Sequence, residues 1–222
     1  MGLRLDMRQL ADYQTFLSEF LRSSETTGSI IPSGRALGSA LCRHVGHGPV
    51  AQKILEAGPG TGAVTECIIE RMRRDDELWM VELNPTFAAH LRSAFEQKPR
   101  FRDVADRCHL VEGSVQQLGP MALADHGQFD LVISGLPLNN FSLGDVRDIL
   151  QAYSKLLKPG GILSFFQYIL LRPAKMFVSV GPERSRLKDV GQAIEGMLGE
   201  KEFAREWVWP NVPPAWVHHI RF

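Results

Sequence analysis

The stretch best suited to chemistry is Lys53 to Gly62, K-I-L-E-A-G-P-G-T-G, where a short apolar run breaks into glycine at every second position. Ile54 and Leu55 suit a buried strand, and Gly58, Gly60 and Gly62 suit a tight turn into a helix starting near Ala63. Without a Cβ the backbone can turn sharply, and a ligand can lie directly against the main chain. The spacing is not that of the dinucleotide fingerprint, and an acid, Glu56, stands two residues before the first glycine. Taken alone, the stretch is either a cofactor cradle or a tight structural turn. A second acid, Glu82, lies 20 residues beyond Gly62 (82 minus 62). At the carboxyl end of the second strand of a Rossmann-like sheet, such a carboxylate accepts hydrogen bonds from ribose hydroxyls. Gly113, Ser114 and Val115 follow a third strand, where an adenine ring would sit if the cofactor carries one. A fourth run, F-D-L-V-I-S at Phe129 to Ser134, is closed by Gly135, Leu136 and Pro137.

These residues need elements to hold them, and strand and helix patterns alternate from Lys53 to Tyr168. Helical spacing of Val64, Ile68 and Ile69 predicts a helix over 63–72. Leu78 to Leu83 reads as a strand, and Asn84 and Pro85 as the cap and first position of a helix running through Glu96. His109 to Glu112 is a third strand. Leu143 to Leu157 is helical, ended by Pro159, Gly160 and Gly161, and Ile162 to Tyr168 is a fifth buried strand. The alternation implies an α/β fold with a parallel sheet and right-handed crossovers. Glu202 to Trp209 and Ala215 to Phe222 read as a terminal hairpin. Arg172 to Lys188 reads as a locally basic linker, either a solvated surface or an anion-binding one. His44 and His47 sit in a glycine-rich connector as solvent-exposed loop residues.

Before this core, Leu3 to Leu21 forms an amphipathic helical stripe whose flanking charges cancel. It suits a helix docked on the core or one lying in a membrane interface. Ser23 to Gly34 follows as a hinge or lid. With 25 Lys and Arg against 25 Asp and Glu, the formal charge is zero, which argues against a surface built to hold nucleic acid. Three widely separated cysteines make neither a disulfide framework nor a metal cluster, and fit a reducing cytoplasm. No apolar run approaches the length of a membrane span, and no signal-like segment is present.

The motifs E-A-G-P-G-T-G at Glu56 to Gly62, V-E-L-N at Val81 to Asn84 and L-K-P-G-G at Leu157 to Gly161 resemble those of the class I S-adenosylmethionine-dependent methyltransferases. The resemblance implies that class's Rossmann-like fold, a mostly parallel seven-stranded sheet with a C-terminal antiparallel hairpin. It divides the chain into an N-terminal amphipathic helix and loop, 1–30, and a methyltransferase domain, 31–222. Within the class, F-L-R-S at Phe20 to Ser23, G-S-I-I-P-S at Gly28 to Ser33, S-G-L-P-L-N-N-F at Ser134 to Phe141 and N-V-P-P-A at Asn211 to Ala215 are similar to the bacterial phosphatidylethanolamine N-methyltransferases. That family uses an amphipathic N-terminal helix to reach the bilayer, so the resemblance implies a cytoplasmic protein held peripherally on the inner face of the membrane. Ser114 stands where the wider class often has an acid.

On this resemblance the cofactor is S-adenosylmethionine, cradled by Gly58, Pro59, Gly60, Thr61 and Gly62. Glu56 anchors its methionine ammonium, Glu82 and Leu83 the ribose, Gly113, Ser114 and Val115 the adenine, and Ser134 closes the pocket. Methyl transfer from a sulfonium to an amine is an in-line displacement that needs positioning rather than a metal or a covalent nucleophile. Ser134, Gly135, Leu136 and Pro137 would orient the amine. Phe141 and Tyr168 would meet a methylated ammonium through cation–π contact, and Arg184, Arg186 and Lys188 would pair with an anionic head group. The implied acceptor is the primary amine of phosphatidylethanolamine. Ornithine lipid is the alternative, followed by RNA adenine dimethylation and by a non-catalytic lipid or cofactor sensor.

Overall fold

A computed structural model of the chain describes residues 32–118, 128–169, 182–209 and 214–222. The readings placed on the N-terminal stripe, on Ser23 to Ile31, on Arg172 to Gly181 and on Asn211 to Pro213 lie outside the described residues.

The apolar runs become seven strands: β1 (Lys53–Ala57), β2 (Glu77–Glu82), β3 (Cys108–Glu112), β4 (Phe129–Ser134), β5 (Leu157–Tyr168), β6 (Glu202–Val208) and β7 (Ala215–Arg221). They form one sheet in the order β3-β2-β1-β4-β5-β7-β6. The first five run parallel, and β7 pairs antiparallel with both β5 and β6. The order reverses between β1 and β4, so the crevice beyond their carboxyl ends is where an open α/β sheet binds its ligand.

Among the described residues six helices flank the sheet: α1 (Pro32–Leu41), α2 (Ala63–Ile69), α3 (Pro85–Gln97), the short α4 (Pro99–Arg102), α5 (Leu143–Leu156) and α6 (Pro182–Lys201). β1 is buried on both faces, and its successive residues feed different layers. Ile54 packs with Leu41, Ile68 and Phe101 on one side. Leu55 packs with Val146, Tyr153 and Ile194 on the other. Each fully buried aliphatic side chain contributes roughly 1.5–3 kcal/mol, so the parallel core is anchored from both faces. Asn84 caps α3 as its sequence position predicts, its side chain accepting the Thr86 N–H at 2.9 Å with Pro85 at the first helical position. Among the described residues no helix is long and apolar enough to cross a membrane.

Three expectations change. Leu157 to Gly161 lies within β5 rather than in a turn after the helix. Phe129 already pairs with Leu157, and the register shifts before Leu131 meets Ile162, so Pro159 and Gly160 occupy an irregular stretch of strand. The basic linker is in part a helix, since α6 begins at Pro182 and sets Leu187, Val190, Ile194 and Leu198 into the core. Finally, His44 is half-buried rather than a solvent-exposed loop residue. Its ring meets His219 edge-on at 4.7 Å and Phe203 at 5.4 Å, and burial together with the neighbouring His219 lowers its pKa to about 4.

Candidate active site

The glycine turn leaves β1 at the reversal point with Gly58, Gly60 and Gly62 at φ of 71°, 56° and 84°, a left-handed conformation that L side chains rarely adopt. Gly58 donates its N–H to Val81 O and Gly62 to Pro59 O, which folds the turn back onto the ends of β1 and β2. A Cβ built on Gly60 would meet nothing within 4 Å, whereas one on Gly62 would come 3.1 Å from Leu91. Gly60 therefore borders open space and Gly62 lies against α3. Thr61 is exposed and Pro59 buried.

Two carboxylates stand behind this turn, both inaccessible to solvent. Glu82 accepts the Gly60 N–H on Oε2 at 2.9 Å and the Asn84 N–H on Oε1 at 2.8 Å. It thus ties the turn to the end of β2, and the carboxylate keeps acceptor capacity beyond these bonds. Burial raises its pKa, and the N–H groups of Asn84, Gly60 and Leu83 oppose that rise. Glu56 is less well satisfied: Oε2 accepts the Thr65 hydroxyl at 2.7 Å, while Oε1 is buried with no partner. Burial pushes its carboxyl up to about 8, the Thr65 hydrogen bond opposes this, and the nearby Glu82 charge adds to it. A buried carboxylate oxygen lacking a donor is the acceptor a ligand's ammonium requires.

The other strand ends complete the crest. Gly113 donates to Glu82 O, bringing the end of β3 against β2. Ser114 is half-buried there, and Val115 is a core residue in the layer of Tyr153 and Val146. At the end of β4, Gly135 donates to Ala57 O at 2.8 Å, and a Cβ on it would fall 2.5 Å from Gly58 O. Only glycine lets the loop after β4 approach the turn after β1 so closely. The Ser134 hydroxyl faces inward, accepting from the Tyr153 hydroxyl at 2.8 Å and from Leu136 N–H at 3.3 Å. Its side chain therefore serves the packing of α5 on the sheet. From Leu136 and Pro137 the chain enters a short 3₁₀ turn, Leu138–Asn140.

The predicted substrate side chains divide. Phe141 packs against the layer of α5 and α6. Tyr168 belongs to the opposite layer, edge-on to Phe166 at 5.1 Å, with burial pushing its phenol up to about 12. Only the crest of the sheet is common to both. Arg186 donates from Nη1 to Phe141 O at 2.6 Å, linking α6 to the loop after β4, and Lys188 is exposed. Arg184 lies in α6, with its side chain outside the described residues. Not anticipated are the two residues Thr65 and Tyr153, and the contact of Arg186 with the Phe141 carbonyl. Thr65 was discoverable, because the first turn of a helix after such a glycine turn faces the end of its own strand.

Comparison with known proteins agrees with this geometry. A family model described as a methyltransferase domain matches residues 54–161. The chain is 30% identical over 154 residues to the ornithine lipid N-methyltransferase of Singulisphaera acidiphila, covering 68% of this chain and 76% of that protein. Among solved structures it is similar to an O-methyltransferase from Bacillus cereus in complex with SAH, at 15% identity, a TM-score of 0.64 and coverage of 94% and 91% of the two chains. It is also similar to the O-methyltransferase TomG of Streptomyces achromogenes in complex with SAM, at 18% identity, a TM-score of 0.63 and coverage of 92% and 88%. The two structures show the shared fold. The unpartnered Glu56 oxygen, the open space at Gly60 and the spare acceptor capacity of Glu82 fit the ammonium, backbone and ribose of such a cofactor. The chain thus belongs to the class I S-adenosylmethionine-dependent methyltransferases and uses S-adenosylmethionine as its cofactor.

Proposed function

We propose that the enzyme methylates the primary amine of a membrane lipid head group, with ornithine lipid as its first acceptor and phosphatidylethanolamine as its second. The observation that carries this reading is the likeness to the ornithine lipid N-methyltransferase, which extends over most of both chains. It reverses the order in which sequence motifs alone rank the two lipids.

The bound cofactor supplies an electrophilic methyl carbon on a sulfonium. Glu56 Oε1 takes the cofactor's ammonium, with Thr65 holding the other oxygen in place. Glu82 receives ribose hydroxyls on the lone pairs that Gly60 and Asn84 leave free. The loop Gly135 to Phe141 carries the acceptor, fixed at one end by the Gly135 N–H and at the other by Arg186. A neutral amine is needed for attack, and the apolar flanks of Leu136 and Phe141 disfavour the ammonium form. Lys188, exposed on α6, would meet the head group's anion. The segment 1–30 and peripheral attachment to the inner membrane face belong to this reading, because the acyl chains remain in the bilayer while the head group reacts.

The test is an incubation of the purified full chain with methyl-labelled S-adenosylmethionine and ornithine lipid, phosphatidylethanolamine, its monomethyl form or RNA, each dispersed separately. Label in ornithine lipid above that in phosphatidylethanolamine is expected. Label in RNA alone would overturn the lipid reading.

A further inference from the structure

At the outer margin of the sheet, Trp207 on β6 touches two further indoles, Trp216 on β7 and Trp209 just beyond the end of β6. Trp207 faces Trp216 directly across the ladder with ring centroids 5.3 Å apart, and Trp209 meets Trp207 edge-on at 5.4 Å. Trp207 is 56% exposed and Trp209 68%, on a strand that ends the sheet among the described residues. Neighbouring aromatic side chains left this open mark a surface with a partner. The Arg205 guanidinium lies 5.6 Å over the Trp216 ring, and its Nε and Nη2 hold Glu202 at 2.9 and 2.5 Å.

The pairing register shows where this cluster stands. Ala215 is opposite Tyr168 and Trp216 opposite Gln167, so the indoles sit at the carboxyl end of β5. The glycine turn and the loop after β4 rise from that same edge. β7 is two strands from β4 and β6 is three. At about 4.8 Å per strand, the cluster lies roughly 10–14 Å along the crest from the end of β4.

We propose that Trp207, Trp209 and Trp216 form a docking surface for the head-group region of a lipid bilayer, beside the mouth of the active site. The choice of occupant rests on the lipid reading above. A lipid whose amine enters the crevice brings the bilayer surface to this crest, where the indoles meet it. Indole suits that boundary, with an apolar body for the acyl margin and an N–H for the polar side. A protein partner fits less well. At 150–250 Å² per aromatic side chain, two indoles a little over half exposed offer about 250 Å², far below the ~800 Å² per partner of a stable interface. Because Glu202 neutralises Arg205, the rings rather than net charge carry the binding, which persists on zwitterionic vesicles.

The full chain is mixed with phosphatidylcholine vesicles, which contain no primary amine, and vesicle binding is read by co-sedimentation. Tryptophan emission and quenching by acyl-brominated phosphatidylcholine report on the rings themselves, since the remaining tryptophan, Trp79, is buried. Binding with a blue shift and quenching is expected. Trp207→Ala with Trp209→Ala should weaken vesicle binding by roughly tenfold, about 1.4 kcal/mol, while S-adenosylhomocysteine affinity and thermal melting stay as in the parent. Trp207→Phe with Trp209→Phe should retain most of the binding. Undiminished binding of the alanine variant, or unquenched emission in bound protein, would overturn the proposal. Shielding of the indoles by self-association with no response to vesicles would overturn it in favour of a second copy. The vesicles hold no acceptor, so ring-dependent binding by a protein that methylates no lipid would remove the substrate reading alone. Lipid methylation without ring dependence would remove the docking surface alone.

Discussion

Glutamine at position 56 tests the cofactor site through protons as well as affinity. Glu56 is solvent-inaccessible, one oxygen is held by Thr65, the other has no partner, and burial pushes its carboxyl up to about 8. Without cofactor the group is therefore mostly protonated at neutral pH, and binding of an ammonium requires the carboxylate. At pH 7 this releases about 0.9 of a proton per cofactor bound, readable by titration calorimetry of S-adenosylhomocysteine in buffers of different ionisation heat. Between pH 6 and 8 the ionised fraction rises from about 1% to about 50% while the charged fraction of the ligand's amine falls to about half, so affinity should rise roughly twenty-fivefold. Above pH 8 it should level and fall as the ligand's own amine, with an ordinary pKa near ~8, loses its charge. Stability runs the other way. The folded-state value lies above the group's ordinary value of 4.5, so the cofactor-free fold binds this proton more tightly than the unfolded chain does. The resulting stability is complete below pH 4.5 and is lost as pH rises through 8. At 1.36 kcal/mol per pH unit the span amounts to about 5 kcal/mol at most. Glu56→Gln keeps an acceptor for Thr65 but cannot ionise. It should bind cofactor about 10- to 100-fold more weakly, the worth of a charged hydrogen bond, with no proton release, and its cofactor-free melting should gain on the parent between pH 6 and 8. Wild-type binding without proton release, or unchanged affinity in the variant, would refute the reasoning.

Four further outcomes follow from other contacts in the fold. Gly135→Ala sets a Cβ 2.5 Å from the backbone oxygen of Gly58, where neither side can give way, and should cost about 3 kcal/mol or more in urea unfolding. Gly144→Ala, whose nearest neighbour would be 3.7 Å away in α5, should be neutral or stabilising. Arg186→Met removes the hydrogen bond to Phe141 O. It should raise the KM for the proposed lipid acceptor roughly tenfold, consistent with a charged hydrogen bond of about 1.5 kcal/mol, while calorimetric affinity for S-adenosylhomocysteine stays level. A role confined to folding would instead move both together. His44, lowered to about 4 by burial and by His219, is neutral in the fold while the unfolded chain titrates near 6.5. Its stability contribution is therefore complete above pH 6.5 and lost as pH falls towards 4. Urea unfolding at pH 7, 5.5 and 4.5 should decline less steeply for His44→Phe than for the parent.

How far each feature could be read from the sequence follows from whether its cause is local. The glycine turn, the Asn84 cap and the buried strands declare themselves in neighbouring residues, because φ, capping and apolar periodicity are decided within a few positions. Glu82 was legible because the length of the β1-to-β2 crossover places it. The inward turn of the Ser134 hydroxyl was not, since it depends on Tyr153, 19 residues on, becoming the buried donor on α5. α6 carries its apolar stripe in plain view, at Leu187, Val190, Ile194 and Leu198. Gly191, Gly196, Gly199 and a high charge content lower its intrinsic helicity, and the core it covers stabilises it instead. That helix also turns Arg186, a candidate anion ligand by sequence, toward the Phe141 loop, where it donates to the Phe141 carbonyl. The residues that fit the cofactor thus lie in the turns after β1 and β2, where one strand end meets the next. On the proposed function, acceptor recognition would be distributed over α6, the loop after β4 and the indole edge of β6 and β7, elements that come together only through the fold. For that reason the cofactor follows from a few motifs, while the choice between two aminolipids rests on a relative and on experiment.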